Sequence, residues 1–170
     1  GLAGYSVSGH KIHGPKGIGL LVYDSKLDLN PQMHGGKQQF GVRSGTLPLP
    51  LILGLETAIK HAVEQTEQTQ NYLQSLCRYL IHGLQAMKDQ VPELDIRFNS
   101  LVDAGVTRQS PGIVNFSFTP VEGEIILHHL EAKNIFVGLG SACSAKSKKP
   151  SKILMGIGLS EEQARCSLRI

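Results

Sequence analysis

Tryptophan is absent from this sequence, and its three cysteines contain no Cys-x-x-Cys pair. An odd set, Cys77, Cys143 and Cys166, argues against a disulfide framework and against a Cys-rich zinc site. It suits a reducing compartment in which one thiol is chemically reactive. No run reaches the ~18 apolar residues of a transmembrane helix, and the N-terminus lacks the apolar stretch of a secretory signal, so a cytoplasmic protein is expected. Charge of one sign is also scarce: 17 Lys and Arg against 14 Asp and Glu leave +3, too little to point to nucleic acid. What is present is an ordinary globular composition. With 41% apolar residues in 170 positions, the chain can bury a core of one domain or slightly more, and it is neither disordered, collagen-like nor a coiled coil.

Glycine is concentrated at the start. Gly9, Gly14, Gly17, Gly19, Gly35, Gly36, Gly41 and Gly45 lie among polar residues, with one strand expected over Ile18–Tyr23. From Pro50 to Gln90 the apolar period is helical: Leu51, Leu55, Ala58 and Ala62, then Leu73, Leu76, Leu80, Leu84 and Met87. The polar stretch from Glu64 to Asn71 reads either as the solvated part of one long helix or as a break between two, and Pro92 ends the pattern. Beyond it, strands are expected over Asp95–Phe98 and Ile113–Phe118, where Val114, Phe116 and Phe118 alternate with polar residues. A helix over Glu122–Asn134, a short strand over Ile135–Val137, a helix over Ser151–Ile157 and a last strand over Cys166–Ile170 follow. Ser160 with Gln163 carries the capping-box signature of one more short helix.

Four stretches carry chemistry. In Ser8-Gly9-His10-Lys11-Ile12-His13-Gly14-Pro15-Lys16-Gly17-Ile18-Gly19 the Walker spacing is missing. Lys11 is instead flanked by close-approach glycines, Ser8 and His10: an amine able to form a Schiff base with an aldehyde cofactor, beside groups able to bind phosphate. Equally, it reads as a surface lysine in a loop. Gly35 to Thr46 interleaves glycine with Arg43, Ser44 and Thr46 before a helix, either an anion cradle or a polar cap. Gly138-Leu139-Gly140-Ser141-Ala142-Cys143 sets a thiol in a Gly/Ser loop followed by Lys146, Lys148, Lys149 and Lys152, whose charge favours the thiolate; a solvated lysine-rich loop is the plain alternative. Arg169, on the last strand, is the residue type that takes a carboxylate in a bidentate grip.

Together these stretches resemble the cysteine desulfurases, the NifS/IscS-like pyridoxal 5'-phosphate (PLP) enzymes of aminotransferase class V that supply sulfur for iron–sulfur clusters and thiolated tRNA. The likeness runs from Ser8 to Arg169. It rests on Ser-Gly-His-Lys-x-x-Gly-Pro-Lys-Gly-x-Gly, Arg-Ser-Gly-Thr, Gly-Ser-Ala-Cys, Gly-Leu-Ser-Glu-Glu-x-Ala and a Ser-x-Arg strand, in that order. The resemblance implies that Lys11 carries the cofactor and shuttles protons. It implies that Ser8 and His10 bind the cofactor phosphate, and that Thr46 reaches the phosphate in the neighbouring subunit of a homodimer. Cys143 would take sulfur from L-cysteine as a persulfide with release of L-alanine, and Arg169 would hold the substrate carboxylate. Sulfur-acceptor proteins, an iron–sulfur scaffold or tRNA-thiolation proteins, are the implied partners. The Gly-Ser-Ala-Cys form with its long following loop looks like the subgroup serving general iron–sulfur assembly. No metal, nucleic acid or membrane is implied.

The implied parent fold is the α/β architecture of PLP-dependent transferases of type I. This piece should be α+β, a long helix leading into a small sheet covered by helices on one face. Residues 1–46 would be the end of the large cofactor-binding domain; residues 47–170 would be the connecting helix and the C-terminal small domain. Lys37 and Gln39 stand where the family's glycine loop has Gly and Glu. Family members are considerably longer, so the chain is expected to be a C-terminal portion. Two other readings go with that: a folded interaction or carrier domain without catalysis, and a related class V lyase acting on selenocysteine or cystine.

Overall fold

The computed structural model describes residues 2–100, 110–139 and 150–170. They form two compact units, Gly1–Gln68 and Thr69–Ile170.

The first unit begins with an antiparallel hairpin of β1 (Gly4–Ser8) and β2 (Gly19–Tyr23), in which Val7 faces Leu20 and Ser8 faces Gly19. Strand β2 lies where the apolar run predicts it. Strand β1 was not expected, because Tyr5 and Val7 are its only larger apolar residues and pairing with β2 supplies what local propensity does not. Helix α1 (Leu49–Glu64) starts with proline in its first turn, where a missing N–H leaves no bond unmade. It ends at Gln65, and α2 (Thr66–Gln90) begins at once. Of the two readings of the polar stretch, the break is therefore the observed one. The Thr66 hydroxyl donates to the Ala62 carbonyl at 2.6 Å across the junction, and residues 61–72 are all exposed.

The second unit is built on a three-stranded antiparallel sheet in the order β3 (Asp95–Phe98), β4 (Asn115–Thr119), β5 (Ser167–Arg169). Register places Ile96 opposite Phe118, and Phe116 between Phe98 and Leu168. Because strand side chains alternate, these residues share one face, and that face is the core: Phe116 and Leu168 are almost fully buried, and the Phe116 and Phe118 rings meet edge to face at 5.1 Å. Leu80 and Leu84 of α2, with Ile126, Leu127 and Leu130 of α3 (Gly123–Glu131), cover it. The opposite face carries the small polar row Ser117 and Ser167, to which α5 (Glu161–Arg165) docks: the Ser117 hydroxyl donates to the Gln163 carbonyl and that of Ser167 to the Ala164 carbonyl, both at 2.8 Å. Helix α4 (Lys152–Gly156) packs Leu154 against Leu159 and Ala164. The capping box read from Ser160 and Gln163 is present in both its bonds. The helical cover expected over the apolar face is thus in place, and α5 adds a layer on the polar face.

One expected element did not form. Ile135–Val137 is not a strand, because the Ile135 amide donates to the Leu130 carbonyl and Asn134 turns left-handed (φ 59°) to close the end of α3. Only Gly138 pairs, in a single antiparallel bridge to Arg169. Among the described residues, no helix is long and apolar enough to cross a membrane.

Candidate active site

Lys11 sits on a tight 3-10 turn, Gly9–Ile12, between β1 and β2. Its shape is set by glycines that let backbone press on backbone. The Gly9 amide donates to the Ile18 carbonyl, and the Gly14 amide donates to the Gly9 carbonyl, each at 2.9 Å. A Cβ on Gly14 would stand 2.9 Å from the Gly9 oxygen, and one on Gly19 only 2.6 Å from the Val7 oxygen. Helix α1 supports the turn from beside it: a Cβ on Gly54 would collide with the Pro15 ring at 2.5 Å. Gly9 is buried by this packing, whereas Ser8, His10 and Lys11 are exposed. The Ser8 hydroxyl caps no backbone group of the turn. A hydroxyl at the end of β1 and an imidazole and an amine on the turn that follows are thus held within four residues and left exposed. That donor set fits an aldehyde cofactor bearing a phosphate.

Thr46 belongs to a second loop of the same unit. Met33 bridges Arg43, the Ser44 amide donates to the Met33 carbonyl at 3.4 Å, and the Arg43 guanidinium donates to the Ser44 carbonyl at 2.9 Å. Gln38, which the sequence pattern did not single out, accepts from the Gly45 amide at 3.1 Å and packs against Gly36. Gly45 has φ +121°, a conformation glycine alone adopts without strain. Ser44 is buried and Thr46 is exposed. This hydroxyl stands beside a structured loop.

Arg169 lies in the second unit. Its neighbours Ser167 and Leu168 are buried, and Arg169 itself is exposed. In register it stands opposite Asn115 of β4, and its backbone hydrogen bonds go to Gly138 on the other side. It enters no ion pair among the described residues. Cys143 lies outside the described residues. Of the other thiols, Cys77 is half-buried against the core and Cys166 is buried. Burial, and then the nearby carboxylates of Glu162 and Glu122, push the Cys166 pKa up, which keeps it as the unreactive thiol. Ser8, His10 and Lys11 are therefore brought together, Thr46 stands on a separate loop of their unit, and Arg169 belongs to the other unit. Among the described residues, no group of His, Cys, Asp and Glu is placed to hold a metal ion.

Comparison with known proteins agrees in kind. The chain is 40% identical over 166 residues to the cysteine desulfurase IscS of Pseudoalteromonas translucida, spanning 96% of this chain and 38% of that one. It is also 40% identical to the mitosomal cysteine desulfurase of Trachipleistophora hominis, spanning 96% and 36%. Its fold superposes on a NifS-like protein with a TM-score of 0.77 at 25% identity, over 99% of this chain and 40% of the other. The chain therefore spans well under half the length of the curated relatives it matches. The fold is that of a piece of a NifS-like protein. A family model for aminotransferase class-V matches residues 4–170, and the chain belongs to that family.

Proposed function

We propose that the chain is a portion of a PLP-dependent cysteine desulfurase. The observation that carries this reading is the exposed Ser8–His10–Lys11 set, in a chain 40% identical to proteins of that name. Residues 1–46 then complete the large cofactor-binding domain, and residues 47–170 form the connecting helix and the small domain.

In this reading Ser8 and His10 hold the cofactor phosphate by charge-assisted hydrogen bonds. Thr46 reaches the phosphate in the partner subunit of a homodimer. When bound, pyridoxal phosphate supplies an electron sink for the substrate's Cα. Lys11 anchors the cofactor covalently and moves the proton at that carbon, a task for an amine on a rigid turn. Arg169 grips the substrate carboxylate. The Cys143 thiolate attacks the substrate sulfur, the carbon–sulfur bond breaks, and a sulfur–sulfur bond forms on Cys143. L-Cysteine plus a thiol gives L-alanine plus a persulfide, with no outside oxidant or reductant. The persulfide then serves a sulfur-acceptor protein for iron–sulfur assembly or tRNA thiolation, in the cytoplasm.

The test is L-alanine release from L-cysteine by the full-length protein loaded with pyridoxal phosphate. Turnover is expected, with protein-bound persulfide at Cys143. Cys143→Ser should lower alanine release about 100-fold or more, because no nucleophile is left to take the sulfur. No alanine from the intact protein, or undiminished release from Cys143→Ser in the presence of reductant, would defeat the reading.

A further inference from the structure

We propose that Gly138 is a positioning residue for Arg169, an inference that deepens the assignment of Arg169 to the substrate carboxylate and rests on it. The two residues exchange both backbone hydrogen bonds: the Gly138 amide donates to the Arg169 carbonyl at 2.9 Å, and the Arg169 amide to the Gly138 carbonyl at 2.7 Å. They are therefore directly opposed in an antiparallel bridge, the arrangement that sets two side chains next to each other on one face. With no side chain at 138, the guanidinium lies over the glycine. A Cβ built there would stand 3.4 Å from Nη2 and 3.6 Å from Nε of Arg169. Backbone conformation is not why glycine stands here, since Gly138 is not among the glycines with positive φ. What the glycine leaves is room for the guanidinium where a side chain longer than a methyl would stand.

The physical consequence is preorganisation. An arginine on a free strand edge samples many rotamers and must lose them when it binds. Lying against the bare backbone of residue 138, Arg169 has fewer to lose, and a bidentate grip on a carboxylate gains accordingly. A methyl group at 138 makes ordinary contact with the guanidinium, whereas a larger side chain needs the volume the guanidinium now fills.

The test uses the full-length protein with pyridoxal phosphate. Gly138→Val is expected to raise KM for L-cysteine about tenfold and to leave kcat within about twofold, the signature of lost substrate binding without lost chemistry. Gly138→Ala should change KM by less than about twofold. In an Arg169→Ala background Gly138→Val should add nothing, because its effect runs through the missing guanidinium. A readout independent of turnover is phenylglyoxal labelling of Arg169, followed by peptide mass spectrometry, which should become several-fold faster in Gly138→Val. Gly138→Leu, without branching at Cβ, takes its place if the valine variant does not fold. An unchanged KM, a penalty that adds fully to that of Arg169→Ala, or unchanged labelling would overturn the proposal. If the wild-type protein made no alanine, the functional reading would fail, while the labelling would still test the contact.

Discussion

Lys11→Ala in the full-length protein is expected to lower alanine release from L-cysteine by roughly 1,000-fold or more, since one amine both anchors the cofactor and moves the proton. Folding should be untouched, because Lys11 is exposed and the turn beneath it is held by backbone bonds at Gly9 and Gly14. Lys11→Arg separates two explanations. It keeps the positive charge but not an amine able to bond the cofactor, so it should be as inactive as the alanine variant. Recovery of activity in Lys11→Arg would mean that Lys11 acts only as a cation.

Phe116→Ala is expected to destabilise the second unit by about 3–5 kcal/mol, the range for truncating a buried aromatic. The ring is 2% exposed, meets Phe118 edge to face, and lies between Phe98 and Leu168 in the sheet. A loss of that size is comparable with the whole stability of many domains, roughly 5–15 kcal/mol. Phe136→Ala is the internal comparison: that ring is 77% exposed, so its removal should change stability by no more than about 0.5 kcal/mol. Chemical denaturation of the two variants measures the contrast, and equal losses would contradict the core described here. Because β4 pairs with β5, the Phe116 variant should also loosen the strand that carries Arg169.

These predictions rest on features of unequal legibility. Strand β4 was readable because Val114, Phe116 and Phe118 alternate, and a half-buried strand writes that period into its sequence. The start of α5 was readable because Ser160 and Gln163 satisfy each other's backbone over three residues. Both signals are local. The pairing of β1 was not readable, since its stability comes from β2 and not from Gly4-Tyr5-Ser6-Val7-Ser8 itself. Ile135–Val137 misled for a related reason: its composition favours a strand, but the Ile135 amide is already used to close α3. At the site, Lys11 with Ser8 and His10 could be singled out because all three fall within four consecutive residues. Gly138 and Gln38 appeared only as members of their loops, because each acts on a partner seven or more residues away, Gly45 for Gln38 and Arg169 for Gly138. No pattern of spacing encodes such a contact.

The most direct measurement is covalent. The full-length protein is incubated with pyridoxal phosphate, reduced with borohydride and digested, and the modified peptides are located by mass spectrometry. One phosphopyridoxyl adduct, on Lys11, is the predicted result. Labelling spread over Lys16, Lys26 and Lys37, or an unmodified Lys11, would contradict the placing of the cofactor on this turn.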